Sequence, residues 1–370
     1  MNGAVLARLA EFRRRHAAVE LVLFFCAGFL LDVFTLGRID RPLVLFRQGL
    51  FLCTLAALLL LEHRHAVGLF VPRGRWERAW GFHAEAIHFL FGSLLSNFTV
   101  LYFKSAAGWL PRLFLALLAG LLLVNELPRF RRSGPLLRFT LLCFCLGSYL
   151  AYLLPVMAGV VRRELFQLSL VLAGAVAALL CLWMAGWERA AGRGGMALRR
   201  LGFGWGVLGG MYGLYAAGAI PPVPLSVRVM GLYHRVQSAG PKYLLEREMP
   251  PGTAANAWPW QRERFHVRAG EKLYVFARVF APNAFRDRVS VRWMRDEGDA
   301  GFRTTDRIPF TVSGGREDGF AGFAWKHNLQ SGRWRVEVET EDGRGVGRLD
   351  FDLVVEPADT PRRAVVSERR

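Results

Sequence analysis

Residues 220–225 are Ile220, Pro221, Pro222, Val223, Pro224 and Leu225. Three prolines in four positions cannot continue a helix, because each lacks the amide N–H and its ring clashes with the preceding turn. Such a run leaves as a stiff, extended strap instead. A hydrophobic helix therefore ends near Ile220. The chain before the strap reads as membrane, and the chain after it reads as a water-soluble β domain.

Composition supports that division. Of 370 residues, 53% are hydrophobic and 21% charged, and mean hydropathy is positive. Such values coexist in one chain when the two classes are segregated along it. Residues 1–220 hold 23 Lys+Arg against 10 Asp+Glu, net +13, and residues 221–370 hold 25 against 20, net +5. A basic excess is also the footprint of nucleic-acid binding. Here most of it sits in short loops between apolar runs, where membrane topology explains it. The expected partner is the lipid bilayer, not nucleic acid. All five cysteines (Cys26, Cys53, Cys143, Cys145 and Cys181) fall in apolar segments. They read as small membrane-core residues, and the soluble part has no disulfide framework or thiolate zinc site.

A membrane-spanning helix needs about 20 mostly apolar residues. Seven segments qualify: 17–37, 43–61, 84–104, 108–125, 137–157, 166–187 and 202–220. The first follows a basic N-terminus, residues 1–16, but is long and lacks a small-residue cleavage site, so it reads as an uncleaved anchor. The N-terminus and loops 2–3, 4–5 and 6–7 carry 16 Lys/Arg in all, and the alternate loops carry 6. That alternation predicts a cytoplasmic N-terminus, seven spans and an outer C-terminal domain. In a Gram-negative cell this is an inner-membrane protein with a periplasmic domain.

The third span is the most polar. At about 100° per residue, Glu85, His88, Gly92 and Ser96 fall on one side of a helix, with Ser93, Asn97 and Lys104 on the adjoining flank. Charged and amide groups in hydrocarbon normally face the bundle interior and find partners. Near the cytoplasmic end Glu20, His83, Glu85, His88, Asn125 and Glu126 are brought together by the topology, and near the outer end Asp32, Arg47 and Lys104. One reading is a polar cavity for an ion, proton or lipid head group. The other is ion pairs and interhelical hydrogen bonds that fix the bundle. His83 and His88 are five apart rather than four, so no helical metal motif is present. No cofactor motif is legible. The seventh span has small residues four apart in the pairs Gly202/Gly206, Gly206/Gly210 and Gly209/Gly213. These suit tight packing in the bundle or a homodimer.

From residue 227 to 357 the period becomes two. Leu273–Phe280 is apolar on both faces, and residues 288–293, 333–339 and 348–353 alternate. Turn signals separate them, as in 313–315 and 341–344. The pattern predicts an antiparallel, immunoglobulin-like β-sandwich of seven to nine strands. Its expected core is Leu273, Val275, Trp293, Phe310, Phe323, Trp334, Val336, Val338 and Phe351. Residues 358–370 read as a loose basic tail. Trp258 and Trp260 flank a proline in a loop and are a candidate contact for a partner or membrane surface, and Arg303, Arg307, Lys326, Arg333 and Arg335 are a candidate basic face toward anionic lipid or glycan. The alternative is a solvated, salt-bridged face, since Glu337, Glu339, Asp350 and Asp352 interleave with it.

The strap, followed by Gly231, Leu232, Tyr233 and His234, then Ser331–Val336 and the Asp342-Gly343 turn, resembles an uncharacterised family of bacterial multi-span membrane proteins. In that family the C-terminal part is a domain of unknown function. Gly92, Leu94, Ser96, Tyr102, Lys104, Ser105, Asn125 and Glu126 are similar to it in the helical part. The resemblance covers most of residues 80–356 and implies an envelope membrane protein without carrying an activity. Three functions follow as expectations. The first is a non-enzymatic membrane protein displaying a β domain for an envelope protein or glycan. The second is a transporter or lipid-handling protein using the polar third span. The third is a membrane-embedded enzyme on a lipid-linked substrate, and for it no catalytic constellation is legible.

Overall fold

The computed structural model describes residues 42–126, 134–192, 195–240, 242–248, 263–282, 285–315 and 318–370. The expected first span, Glu20, Asp32, Cys26, Trp258 and Trp260 lie outside these residues. The chain divides into two compact units. One holds the described residues up to Lys104, Leu110–Pro155 and Arg163–Ile220; the other holds Ser105–Trp109, Val156–Arg162 and Pro221–Arg370.

Seven helices occur among the described residues: α1 Pro42–Ala66, α2 Arg75–Trp80, α3 His83–Ser105, α4 Trp109–Glu126, α5 Pro135–Ala158, α6 Arg163–Ala190 and α7 Ala197–Ala216. Stretches of four, Leu43–Ala66, His83–Ser105, Pro135–Ala158 and Arg163–Ala190, are long and apolar enough to cross a membrane. Pro42 and Pro135 stand at the first position of α1 and α5, where a missing N–H costs nothing and φ is pre-set. The bundle interior is built from Leu55, Leu94, Phe98, Tyr102, Leu118, Cys143, Tyr152 and Ala173, all nearly inaccessible. Cys143, Cys145 and Cys181 are buried thiols as expected, whereas Cys53 is exposed. Close helix approaches use Gly49, where a Cβ would stand 2.7 Å from Tyr149 Oη, and Gly204, where it would stand 2.8 Å from Cys143 Sγ.

The last helix ends earlier than the apolar pattern predicts. It stops at Ala216 because Gly218 adopts φ 76°. The Ala219 N–H donates to the Leu214 carbonyl and the Gly218 N–H to that of Tyr215, which closes a Schellman turn. The strap that follows is buried from Pro221 to Ser226, and its Val223-Pro224 peptide is cis.

The second unit is β-rich, with eleven strands among the described residues: β1 Ser226–Tyr233, β2 Arg235–Ala239, β3 Lys242–Glu248, β4 Glu263–Arg268, β5 Leu273–Phe280, β6 Arg286–Asp296, β7 Phe302–Ser313, β8 Phe320–Lys326, β9 Gly332–Thr340, β10 Gly345–Glu356 and β11 Val365–Arg369. They form sheets in the orders β4-β10-β9-β6-β7, β1-β5-β8 and β11-β3-β2. The first two share one core of Leu232, Phe265, Leu273, Val275, Val289, Val291, Trp293, Trp334, Val336, Val338 and Phe351. The sheets are not wholly antiparallel, since β4 runs parallel to β10. The third sheet covers part of the other face of β5, where Phe276 packs with Tyr233, Val236 and Leu245. That explains why β5 is apolar on both faces.

Two further expectations need correction. Phe323 is not core but 41% exposed, because the small Ala324 takes the core-facing position beside it. Residues 358–370 are not a loose tail. Strand β11 pairs with β3, and Arg268 holds the segment before it: Nε donates to the Thr360 carbonyl (2.7 Å) and Nη2 to that of Pro361 (3.0 Å).

Candidate functional site

Among the described residues strand β8 lies at an edge of its sheet, paired with β5 alone. Successive side chains of a strand point to opposite faces. Phe320 and Ala324 pack on the shared core. Phe323 and Trp325 therefore emerge on the other face, each 41% exposed. The register sets Trp325 opposite Tyr274 and Phe323 opposite Phe276. Phe276 is covered by the third sheet, but the aromatic surface continues outward: Phe323 lies 6.1 Å from Tyr243 and 6.2 Å from Tyr274. Lys272 places Nζ 4.0 Å from the centre of the Trp325 ring, and His327 lies 5.7 Å from it. Large flat rings left in water beside a strand edge are what a binding surface is made of. The sequence signal was present as an i, i+2 pair around a small residue. The alternation that puts Phe323 in the core has the opposite phase.

The basic face has another character. Arg303 pairs with Glu297 (3.2 Å), Arg333 with Asp296 (3.3 Å), Arg335 with Asp350 (2.6 Å) and Lys326 with Asp306. Arg307 and Arg292 close on Glu339 at 2.6 and 3.1 Å. Burial pushes the Glu339 carboxyl above its ordinary value, against the pull of those two arginines. This face is an interleaved ion-pair lattice, in which each of these basic groups already has a carboxylate.

In the helical unit the polar residues of α3 are not gathered on its packed side. Ile87, Phe91, Leu94 and Phe98 are buried. Glu85 is exposed, and His88, Ser96 and Lys104 are half-buried. Asn97 is buried and donates to the Ser93 carbonyl of its own helix at 2.8 Å. Arg47 on α1 is exposed. Asn125 and Glu126 end α4, and their side chains lie outside the described part. Among the described residues Gly206, Gly210 and Gly213 have no atom of another element within 4 Å of an added Cβ, so none makes a close approach to them. No group of three or more His, Cys, Asp or Glu that could hold a metal occurs among the described residues.

The charged cluster that does form was not anticipated. Glu188 of α6 meets Arg200 Nη1 of α7 at 2.7 Å and His63 Nε2 of α1 at 3.5 Å, and all three are buried. Arg200 reads from sequence as one of several loop arginines. It belongs instead to the first turn of α7.

Residues 286–353 match the family described as Protein of unknown function (DUF2914). The match covers strands β6 to β10 and fits a C-terminal domain of unknown function. No curated protein matches the chain. Among solved structures, two β-glucosidase structures from Listeria innocua, in complex with gluconolactone and with isofagomine, are 11% and 10% identical. They align with 36% and 38% of this chain and with 18% of theirs, at TM-scores of 0.17 and 0.18. The chain thus spans under a fifth of their length. A Pseudomonas fluorescens alkylpurine DNA glycosylase, AlkC, bound to DNA containing an abasic site analog is 11% identical over 83% of this chain and 98% of that one, at a TM-score of 0.22. Likenesses this low carry neither fold nor function to this protein.

Proposed function

We propose that this is a non-enzymatic integral protein of the bacterial inner membrane, which displays a periplasmic β domain to an envelope protein or glycan. In this reading seven helices cross the bilayer, and the two large sheets are an immunoglobulin-like sandwich. Parity supports the topology. Segments 105–109 and 156–162 belong to the same unit as the β strands. Between 109 and 156 the chain makes α4 and α5, and between 162 and 221 it makes α6 and α7. An even number of crossings returns it to one side each time, the side that the sparse-arginine loops assign to the exterior.

The observation that carries the binding role is the exposed Phe323–Trp325 pair on a strand edge, with Lys272 over the indole. Aromatic anchors of this kind dominate recognition surfaces. The test is a photo-crosslinking residue at Phe323 in whole cells, with co-sedimentation of the purified full chain with peptidoglycan sacculi. A discrete cross-linked species, or sedimentation that Trp325→Ala lowers about tenfold, is expected. Absence of both in the intact protein overturns the reading.

A further inference from the structure

A polar pocket of about 380 Å³ opens in the β unit, lined by Arg162, Arg286, Asp287, Arg288, Thr311 and Glu341. Arg162 is fixed in it by two carboxylates, with Nη1 3.2 Å from Asp287 and Nη2 2.6 Å from Glu341. Asp287 is buried and already engaged, accepting from the Val161 N–H at 2.9 Å and the Arg288 N–H at 2.8 Å. Val161 itself belongs to the core of this unit. The segment bearing Arg162 is thus anchored, and the acids of the pocket are occupied in holding it.

Arg286 and Arg288 differ from most arginines of their sheet. Arg292, Arg307, Arg333, Arg335 and Arg348 each have a carboxylate. Among the described residues Arg286 and Arg288 have none, and both are exposed. They are two apart on β6, on one face, and Thr311 pairs directly opposite Arg288. Two free guanidinium forks, a hydroxyl and a fixed third arginine form a donor set suited to a phosphate, which takes charge-assisted, bidentate hydrogen bonds. Chain continuity places it. Arg162 is followed at once by Arg163, the first residue of a helix long and apolar enough to span a bilayer.

We propose that this pocket binds a phosphate group at the membrane surface, that of an anionic phospholipid. The experiment uses the full chain in detergent and native mass spectrometry with phosphatidylglycerol, phosphatidylcholine and inorganic phosphate, each added separately. Expected is retention of phosphatidylglycerol over phosphatidylcholine, weakened about tenfold or more in Arg286→Ala/Arg288→Ala. A charge-keeping Arg286→Lys/Arg288→Lys variant, which loses the fork but not the charge, guards against misfolding. It should bind between the two. Equal phosphatidylglycerol binding in wild type and both variants overturns the site. Variant-sensitive binding of inorganic phosphate without any of phosphatidylglycerol overturns the lipid source.

Discussion

Each unit of this protein buries an arginine against a glutamate, and the two pairs are finished differently. In the β unit Arg268 of β4 meets Glu248 of β3 through two bonds, Nη1 to Oε1 at 2.8 Å and Nη2 to Oε2 at 3.0 Å. Its remaining donors go to the Thr360 and Pro361 carbonyls and to Glu271. In the helical unit Arg200 approaches Glu188 at 2.7 Å, but among the described residues its Nε and Nη1 have no hydrogen-bond partner of good geometry. Burying a charge is costly, and the attraction repays it only where the remaining donors are also satisfied. The saturated pair is therefore a clamp holding the C-terminal segment to the strands. The unsaturated pair joins α6 to α7 without that return.

The comparison breaks if the pairs respond alike to mutation. Arg268→Ala strands Glu248 and frees residues 358–370, so it should cost about 3–5 kcal/mol. Chemical unfolding of the full chain in detergent reads the loss, and limited proteolysis should then remove β11 first. A loss below about 1 kcal/mol would mean the clamp is incidental. Replacing both members of the other pair, Glu188→Met with Arg200→Met, should leave stability unchanged or raise it by about 1–4 kcal/mol. The same unfolding measurement decides. A large loss from this double variant would show that the helical pair is needed for packing after all.

Neither of these pairs is legible in the sequence, for a physical reason. Helix spans and most strands follow from local periodicity, so α1, α3, α4, α5 and α6 lie close to where apolar runs place them. The core residues Trp293, Trp334 and Val336 follow from alternation in the same way. Phase is less secure. In β8 every position but the last is apolar or glycine, and period two alone does not say which face carries Phe323 and Trp325. Ion pairs are harder still. Arg268 is 20 residues from Glu248 and 92 from Thr360, and nothing local distinguishes it from its neighbours. The tail looked loose because its own residues are polar, yet its order comes from Arg268. Likewise the polarity of α3 points to Glu85 and His88, while the buried cluster forms around Glu188, in the last turn of α6 beyond the apolar run.

A smaller effect tests the clamp from its neighbour. The Glu248 N–H donates to His234 Nδ1 at 3.2 Å, so the ring carries its proton on Nε2, which donates to the His266 carbonyl at 2.8 Å. Phe265 stacks on that ring at 4.6 Å. Burial holds His234 below the ordinary histidine value of 6.5, and Arg268 adds to that, while the His266 carbonyl, Glu248 and Glu271 oppose it. A lowered histidine means the unfolded chain takes up a proton that the folded one refuses. Above about pH 6.5 the term vanishes; as pH falls below it, stability drops by at most about 1.4 kcal/mol per pH unit, until the folded ring also protonates. Protonation would also place a donor against the Glu248 N–H. His234→Gln can keep both hydrogen bonds without titrating. The difference in melting temperature between wild type and variant should therefore be flat above pH 7 and favour the variant increasingly from pH 6.5 downward. A difference independent of pH would detach His234 from the clamp, and would leave acid sensitivity of this unit to its carboxylates.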